Sequence, residues 1–358
     1  METTYGVNDP LAVKLWSKKL SVEALKQTWF NKFVGKTSND LVQVKDELRK
    51  ASGDKITYGL RMQLTGAGVQ GDGTLEGNEE SLTTYSDAVL LNQLRHAVRS
   101  SGRMSQQRVP FDIRQESLDG LVDWWRNRYD AVFFNQLCGN VAEPAYLATG
   151  STNYTGNNAP VAPDAAHYVN VAGTADDSGL GSGNTFTLAM LDKCVERART
   201  LTPAIKPVRV NGNDWYVCFV HPYVVTDIRS NTNTGQWVDI QKAEMTGGMI
   251  KDNPLLTGAL GVYNGVILHA DTRVTTGYNP SGPVAISTVR RNVFCGAQSL
   301  MLAFGRDNGP ENHTWVEELF DYENELGVSS GAIYGMKKTV YNSMDFATIV
   351  ASSYAVQH

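Results

Sequence analysis

Residues 110–137 read PFDIRQESLDGLVDWWRNRYDAVFFNQL, the strongest helical pattern in the chain. Asp112 with Gln115 resembles a capping box, and Gly139 stands where a C′ glycine belongs. Asp123 and Arg126 are placed to pair on the outer face. At about 1.5 Å per residue such a helix spans on the order of 40 Å, which is enough to be the backbone of a domain. Its apolar residues share one wide face: Leu118, Leu121, Val122, Trp125, Tyr129, Val132, Phe133 and Leu137.

Two extended runs precede this helix and predict a long β-hairpin. KITYGLRMQL (55–64) alternates apolar and polar residues, and LTTYSDAVLLNQL (82–94) begins after Ser81. The stretch between them is polar and rich in glycine, which predicts a flexible tip. Because a two-stranded hairpin is marginal in water, we expect the loop to bury little against its own chain and a neighbouring subunit to cover it.

The tip also carries a dinucleotide-binding pattern. Gly66, Gly68 and Gly71 spell G-x-G-x-x-G after a predicted strand, and Asp87 lies 21 residues beyond Gly66. A true fingerprint opens a helix whose N-terminus holds the pyrophosphate. Here DGTLEGNEES (72–81) follows, with glycines that interrupt a helix and with four acids that repel phosphate: Asp72, Glu76, Glu79 and Glu80. The pattern therefore predicts an acidic hairpin tip, and an NAD-dependent enzyme is only a remote alternative.

The N-terminal segment predicts a basic, amphipathic arm. Asp9-Pro10 is a good helix start, and apolar residues then recur at helical spacing up to Gly35. From Pro10 to Lys36 there are six lysines and one acid, Glu23. Three functions stay open for this segment: packing on its own core, docking on a neighbouring subunit, or contact with an anionic partner. The aromatic residues that would make the intersubunit contact include Trp16, Trp29 and Phe30.

The rest of the chain predicts an α+β fold. Residues 140–184 are rich in Gly, Ala, Asn, Ser and Thr and predict a long surface loop or several turns. A helix near 188–201, a strand at 214–220 and a short helix after His221-Pro222 follow, with His221 expected to cap or pack that helix. Further strands are expected near 265–271, 283–291 and 299–306, without regular βαβ alternation. A polar cluster is conceivable at Asp227, Arg229, Asp239 and Glu244, for which a solvated or interface ion-pair role is the better interpretation.

Bulk composition limits the function classes. The chain has 358 residues and 42% hydrophobic residues, which predicts a folded protein of two or three packed units. Its net charge of −5 argues against a basic nucleic-acid-binding surface that covers the whole protein. No apolar run predicts a membrane span, and the N-terminus does not resemble a signal peptide. The scattered histidines and cysteines have no metal-ligand spacing, so we expect no metal, no cofactor and no enzyme activity. The cysteines are expected to be buried free thiols: Cys138, Cys194, Cys218 and Cys295.

In this order, the segments resemble the tailed-bacteriophage major capsid fold (Hong Kong-type), and more narrowly the major capsid family of podoviruses similar to phage N-four. The segments that carry the likeness are KLWSKKLSVEALKQTWFNKFVG, GDKITYGLRMQLTGAGVQGDGTLEGNEESL, RQESLDGLVDWWRNRYDAVFFNQLCG, WYVCFVHPYVVTDIR and, above all, MTGGMIKDNPLLTGALGVYNGVILHAD. They run in order from about Leu11 to Tyr354.

The resemblance implies five regions. These are an N-terminal arm (1–53), an extended loop (54–109), the spine helix of a peripheral domain (110–139), an axial domain (140–310) and a return to the peripheral domain (311–358). It implies a major capsid protein that self-assembles into hexamers and pentamers of an icosahedral shell enclosing double-stranded DNA. The alternative within the fold is the shell of an encapsulin-like protein compartment.

The resemblance also implies partners and a location. Expected partners are other copies of the chain, portal and scaffolding proteins, a decoration protein and packaged DNA bound non-specifically, with no membrane. Scaffolding is expected from a separate protein, and the absence of lysine between Gly66 and Ser81 argues against a covalent cross-link at the tip. The protein is expected in the virion capsid after assembly in the host cytoplasm. The loop-tip residues expected at subunit contacts are Gly66, Gly68, Gly71, Asp72, Glu76, Glu79 and Glu80.

Overall fold

The computed structural model describes residues 20, 28–49, 52–61, 64, 66–82, 84–108, 110, 112–141, 158–210, 212–230, 259–281, 284–306 and 313–358. The segment MTGGMIKDNPLLTG and the residues Trp16, Asp239 and Glu244 lie outside this part, as does most of the predicted arm helix. The helices are α1 (Arg103–Arg108), α2 (Ile113–Leu137), α3 (Leu188–Thr200) and α4 (Pro222–Ser230), with 3-10 turns at Trp29–Phe33, Glu47–Arg49 and Asp177–Gly179.

The strands follow in chain order. They are β1 (Val34–Gly35), β2 (Val42–Lys45), β3 (Lys55–Arg61), β4 (Thr84–Leu90), β5 (Asn92–Arg99), β6 (Tyr168–Asn170), β7 (Val208–Val210), β8 (Asn213–Val220), β9 (Gly261–Tyr263), β10 (Val266–Ala270), β11 (Thr276–Asn279), β12 (Val284–Cys295), β13 (Leu300–Phe304), β14 (Thr314–Phe320), β15 (Glu325–Lys338), β16 (Val340–Tyr341), β17 (Met344–Asp345) and β18 (Thr348–Tyr354).

Helix α2 is the spine that the sequence predicts. Asp112 is its N-cap and accepts a 2.9 Å hydrogen bond from the Arg114 amide, and the Asp123–Arg126 pair forms at 3.6 Å. Gly139 has φ +58, and a Cβ there would meet the Val161 carbonyl oxygen at 2.5 Å, so only glycine fits this helix end. The Gln115 side-chain amide donates to the Asp119 carboxylate at 2.9 Å, one turn on, and the reciprocal bond of the capping box stays a prediction.

Two mixed sheets surround the spine. The first has the order β1-β2-β13-β15-β14, with β5 on β15; the second has the order β6-β18-β12-β8-β10-β9, with β11 on β12 and β7 on β8. The spine helix packs against the first sheet, where Trp125 is fully buried and donates from Nε1 to Ser330 Oγ at 3.1 Å. Helices α3 and α4 pack on the second sheet around a separate cluster of buried residues. The α+β class is confirmed.

Several predicted boundaries do not coincide with these layers. Residues 28–49 supply β1 and β2, which run parallel to β13, so this part of the expected arm belongs to the body. Strand β18, expected to return to the peripheral domain, pairs with β12 and β6 in the second sheet. The predicted loop at 140–184 contains β6 and the fully buried Asp177. The division of the chain into five regions stays a prediction.

Candidate assembly surfaces

The predicted hairpin forms, and one partly buried carboxylate fixes its base. Strands β3 and β4 pair antiparallel from Lys55↔Leu90 to Arg61↔Thr84. Asp87 Oδ2 accepts hydrogen bonds from the Tyr58 hydroxyl at 2.9 Å and from the Val340 amide at 3.2 Å, and Oδ1 pairs with Lys337 Nζ. Burial, and then the Asp87 carboxylate, raise the pKa of Tyr58 well above its ordinary value, so its hydroxyl stays a donor. These bonds tie the hairpin to the end of β15.

The strands of the hairpin also bury one apolar face on the body. Ile56, Tyr58 and Leu60 alternate with exposed neighbours and pack with Val89 in a cluster that includes Met301 of β13. The expectation that the whole loop buries little against its own chain is therefore wrong for the strands. The alternation that predicted a strand is the pattern of a half-buried one, and the first sheet supplies its cover.

The tip beyond these strands is the exposed part. Residues 66–82 have no helix or strand, and every one of them is exposed. Leu75 and Leu82 are 60% and 58% exposed. The segment holds four acids and no lysine or arginine. This surface combines negative charge with accessible apolar side chains.

The geometry of the tip contradicts a dinucleotide site. No helix follows Gly71, and the Gly66 amide, which would face a phosphate, donates to Glu80 Oε2 at 2.7 Å. Gly77 donates likewise to Glu79 at 2.7 Å. Gly68 and Gly71 take positive φ values of +69 and +61 with open space around them, so they serve the turns of the tip.

The aromatic residues predicted at subunit contacts differ in position. Phe30 is fully buried and stacks on Phe133 of the spine helix with ring centroids 4.7 Å apart. Its side chain has no exposed surface to offer a neighbour, which corrects that expectation. Trp29 is partly buried, and its ring packs edge-on against Phe219 of β8 at 5.3 Å. Of the alternatives open for the arm, packing on its own core holds for residues 28–33.

A buried polar cluster fixes this part of the arm to the spine. The Asp130 carboxylate accepts from the Trp29 amide at 3.1 Å and pairs with Arg273 at 3.2 Å, and Arg273 also pairs with Asp271 at 3.4 Å. Burial raises the pKa of Asp130 to about 7 even though Arg273 opposes the shift. Burial also lowers the pKa of Lys32 beside this cluster to about 8, against the pull of Asp271. The sequence predicted none of these contacts, because they join three distant segments.

The remaining sequence candidates have structural contacts. His221 Nδ1 accepts from the Tyr223 amide at 3.2 Å, so it caps α4 as predicted, and burial lowers its pKa to about 4. Asp227 pairs with His358 rather than with Arg229. All four cysteines are buried and free. Within the described ranges there is no group of three or more His, Cys, Asp or Glu residues that could hold a metal, and no helix long and apolar enough to cross a membrane.

Solved structures of phage shells share this fold. The chain matches the capsid of Ralstonia phage GP4 with a TM-score of 0.82 and 31% identity, covering 100% of this chain and 99% of the other. It matches a chain of the cyanophage Pam1 capsid asymmetric unit with a TM-score of 0.70 and 22% identity, covering 93% and 94% of the two chains, a likeness in fold. The architecture is therefore that of a tailed-phage capsid subunit.

Sequence comparison places the chain in a family. The family model described as phage capsid protein matches residues 4–357, so the chain belongs to the phage capsid protein family. It is 30% identical over 354 residues to the major capsid protein of Pseudomonas phage KPP25, covering 92% of this chain and 90% of that protein. The chain is a phage major capsid protein. The compartment-shell and NAD-enzyme alternatives find no support, and the narrower likeness to N-four-like podoviruses stays a prediction.

Proposed function

We propose that copies of this chain close into hexamers and pentamers of an icosahedral shell around double-stranded DNA, and that the loop tip is an intersubunit contact. The proposed role of the loop tip rests on the difference in burial between the strands of the hairpin and its tip. Strands β3 and β4 are anchored to the body, whereas all of residues 66–82 are exposed. A protruding acidic segment with exposed leucines gains stability when a neighbouring chain covers it.

Closed point-group symmetry repeats one such contact around each capsomer. A stable interface buries about 1,600 Å² in total. We expect other surfaces of the two subunits to share the contact with the tip, among them the N-terminal segment that precedes Trp29. The glycines and acids of the tip are the residues we propose at this contact: Gly66, Gly68, Gly71, Asp72, Glu76, Glu79 and Glu80.

Further partners follow from the capsid role. Exposed lysines and arginines would meet packaged DNA through its phosphates, without sequence preference and with strong salt dependence. Portal, scaffolding and decoration proteins would bind the assembled shell, and assembly would take place in the host cytoplasm before the protein becomes part of the virion. The likeness to whole phage capsids supports these proposals.

Electron microscopy of the expressed protein tests the assembly. The chain, expressed alone and with the products of the neighbouring phage genes, should form icosahedral shells. A variant with residues 66–82 replaced by an Asn-Gly turn should fold with an unchanged melting temperature but assemble poorly. Monomers and dimers of the wild type under all conditions would overturn the proposal, and normal shells from the tipless variant would overturn the role of the tip.

A further inference from the structure

One face of the first sheet is open to solvent. In the three-stranded part β14–β15–β5, alternate residues such as Ser330 point to the spine helix. The residues between them point to the other side. In the register of β5 and β15, Arg95 lies opposite Gly331, Ala97 opposite Ser329 and Arg99 opposite Gly327. These three pairs share the outer face of the sheet. Arg95, Ala97 and Arg99 are all exposed.

Small residues make this outer face shallow. A Cβ on Gly331 would meet Cγ of Arg95 at 2.8 Å, and a Cβ on Gly327 would meet the Phe320 ring at 2.6 Å. The glycines therefore let two long side chains lie flat on the sheet. The Arg99 guanidinium in turn stacks 4.2 Å from the centroid of the Phe320 ring. The result is a flat surface of backbone, aromatic ring and arginine stems, with Val316 44% exposed beside it.

Arg95 and Arg99 of β5 lie at one edge of this face, and α1, with Arg103 and Arg108, follows β5 in the chain. We call Arg95 and Arg99 of β5 together with Arg103 and Arg108 of α1 the arginine edge. Arg99 pairs with Glu325, but Arg95, Arg103 and Arg108 are exposed and make no ion pair within the described part of the chain. Strand β5 pairs there only with β15, so the arginine edge is also a sheet edge.

Some acids of this region lie close to the arginine edge: Glu325 pairs with Arg99, and the turn 321–324 contacts α1, where the Arg103 amide donates to Asn324 Oδ1 at 3.3 Å. Glu318 is on β14, across the sheet from β5. The loop tip carries the complementary surface: four acids without a lysine or arginine, and exposed Leu75 and Leu82. Glu79 and Glu80 bond within the tip, whereas Asp72 and Glu76 have no partner among the described residues. Two free carboxylates thus match unpaired arginines elsewhere on the same molecule.

We propose that the acidic loop tip of one subunit docks on the arginine edge of a neighbouring copy, with Asp72 and Glu76 paired to Arg95 and Arg103. The inference rests on the proposed role of the tip as a subunit contact and identifies its partner surface. Charge complementarity selects the arginine edge, and the flat glycine-floored face beside it receives the exposed leucines. Because both charge sets are exposed before assembly, their attraction would also guide the encounter of the two chains.

Charge reversal in matched pairs tests the docking. R95E/R103E and D72R/E76R should each reduce shell yield at least about tenfold, because like charges then face each other across the contact. Combining all four changes should restore most of the yield. K193E, which reverses an exposed cation on α3 over the other sheet, is the matched control and should assemble as the wild type does.

The readouts separate this proposal from the function on which it rests. Wild-type shells, together with unchanged melting of each unassembled variant, establish assembly and folding independently. Normal shells from R95E/R103E would overturn the docking and leave the capsid role intact. The docking would also be overturned if the variant that combines all four substitutions failed to recover the shells that the double variants lose. Normal shells that retain less DNA would assign the arginine edge to DNA instead.

Discussion

Arg291 and Asp177 form a buried ion pair, with Nε and Oδ2 2.7 Å apart and side chains 4% and 0% exposed. Arg291 Nη1 also donates to the carbonyl oxygens of Cys138 and Gly139, both at 3.0 Å. One guanidinium on β12 therefore binds the carboxyl end of the spine helix and the 3-10 turn at Asp177–Gly179. A cation at this helix end is favourable because the last carbonyls carry partial negative charge. The pair joins the spine to the second sheet.

Removing the cation should be strongly destabilising. R291M leaves the Asp177 carboxylate buried without its partner, so we expect the free energy of unfolding to fall by about 3–5 kcal/mol. Urea denaturation of the unassembled subunit measures this. R209M removes the exposed pair with Asp214, which solvent screens, and should leave stability nearly unchanged. Equal effects of the two substitutions would contradict the role of the buried pair.

Phe30 should act within its own subunit. F30A removes a fully buried ring stacked on Phe133 and should lower the stability of the unassembled chain by about 3–5 kcal/mol. Y322A, at a fully exposed position, should change it by less than about 0.5 kcal/mol. If F30A melted like the wild type as a free subunit and failed only in assembly, Phe30 would be an intersubunit residue after all.

Asp87 should control the stability of the hairpin base. D87A removes the acceptor for Tyr58 and Val340 and the partner of Lys337. We expect local opening of residues 55–61 to become easier by about 2 kcal/mol, which is roughly thirtyfold faster amide exchange. S86A, at the exposed neighbouring position, is the control. Exchange that rises equally in the spine helix would show global rather than local loosening.

His313 should make the subunit sensitive to acid. Its ring is fully buried, shares a 2.9 Å hydrogen bond with the Tyr129 hydroxyl, and burial lowers its pKa from 6.5 to about 3. As the pH falls, the unfolded chain therefore binds a proton at this histidine before the folded chain does, which favours unfolding. The contribution of neutral, buried His313 to the free energy of unfolding is complete above about pH 6.5 and is lost as the pH falls toward 3.

H313Q removes that titration. Between pH 7 and pH 4 the variant should lose less stability than the wild type, by on the order of 3 kcal/mol. Urea titrations at the two pH values measure the difference, with H96Q, at an exposed position, as the control. Parallel loss in wild type and H313Q would show that the acid response comes from other groups.

The sequence predicted the elements that depend on interactions between residues close together in the chain. The spine helix follows from its apolar stripe, and its cap at Asp112 follows from a side chain two residues from the amide it binds. The hairpin follows from alternation at Ile56, Tyr58 and Leu60. The acidity of the tip is visible directly in residues 72–80.

Contacts between distant segments were not predictable in this way. Asp177 and Arg291 are 114 positions apart, and the first lay in a stretch whose polar composition predicted a surface loop. A polar segment becomes buried when each polar group finds a partner, which composition does not reveal. The arginine edge is likewise divided between β5 and α1, and only strand pairing shows that Arg95 and Arg99 share a face.

A cryo-electron microscopy map of wild-type shells would show where the loop tip lies. We expect residues 66–82 to be covered by an adjacent subunit, with Asp72 and Glu76 within hydrogen-bonding distance of that subunit's arginine side chains. A shell in which this tip extends into solvent and touches no neighbour would overturn the proposed docking and the role of the tip as a subunit contact.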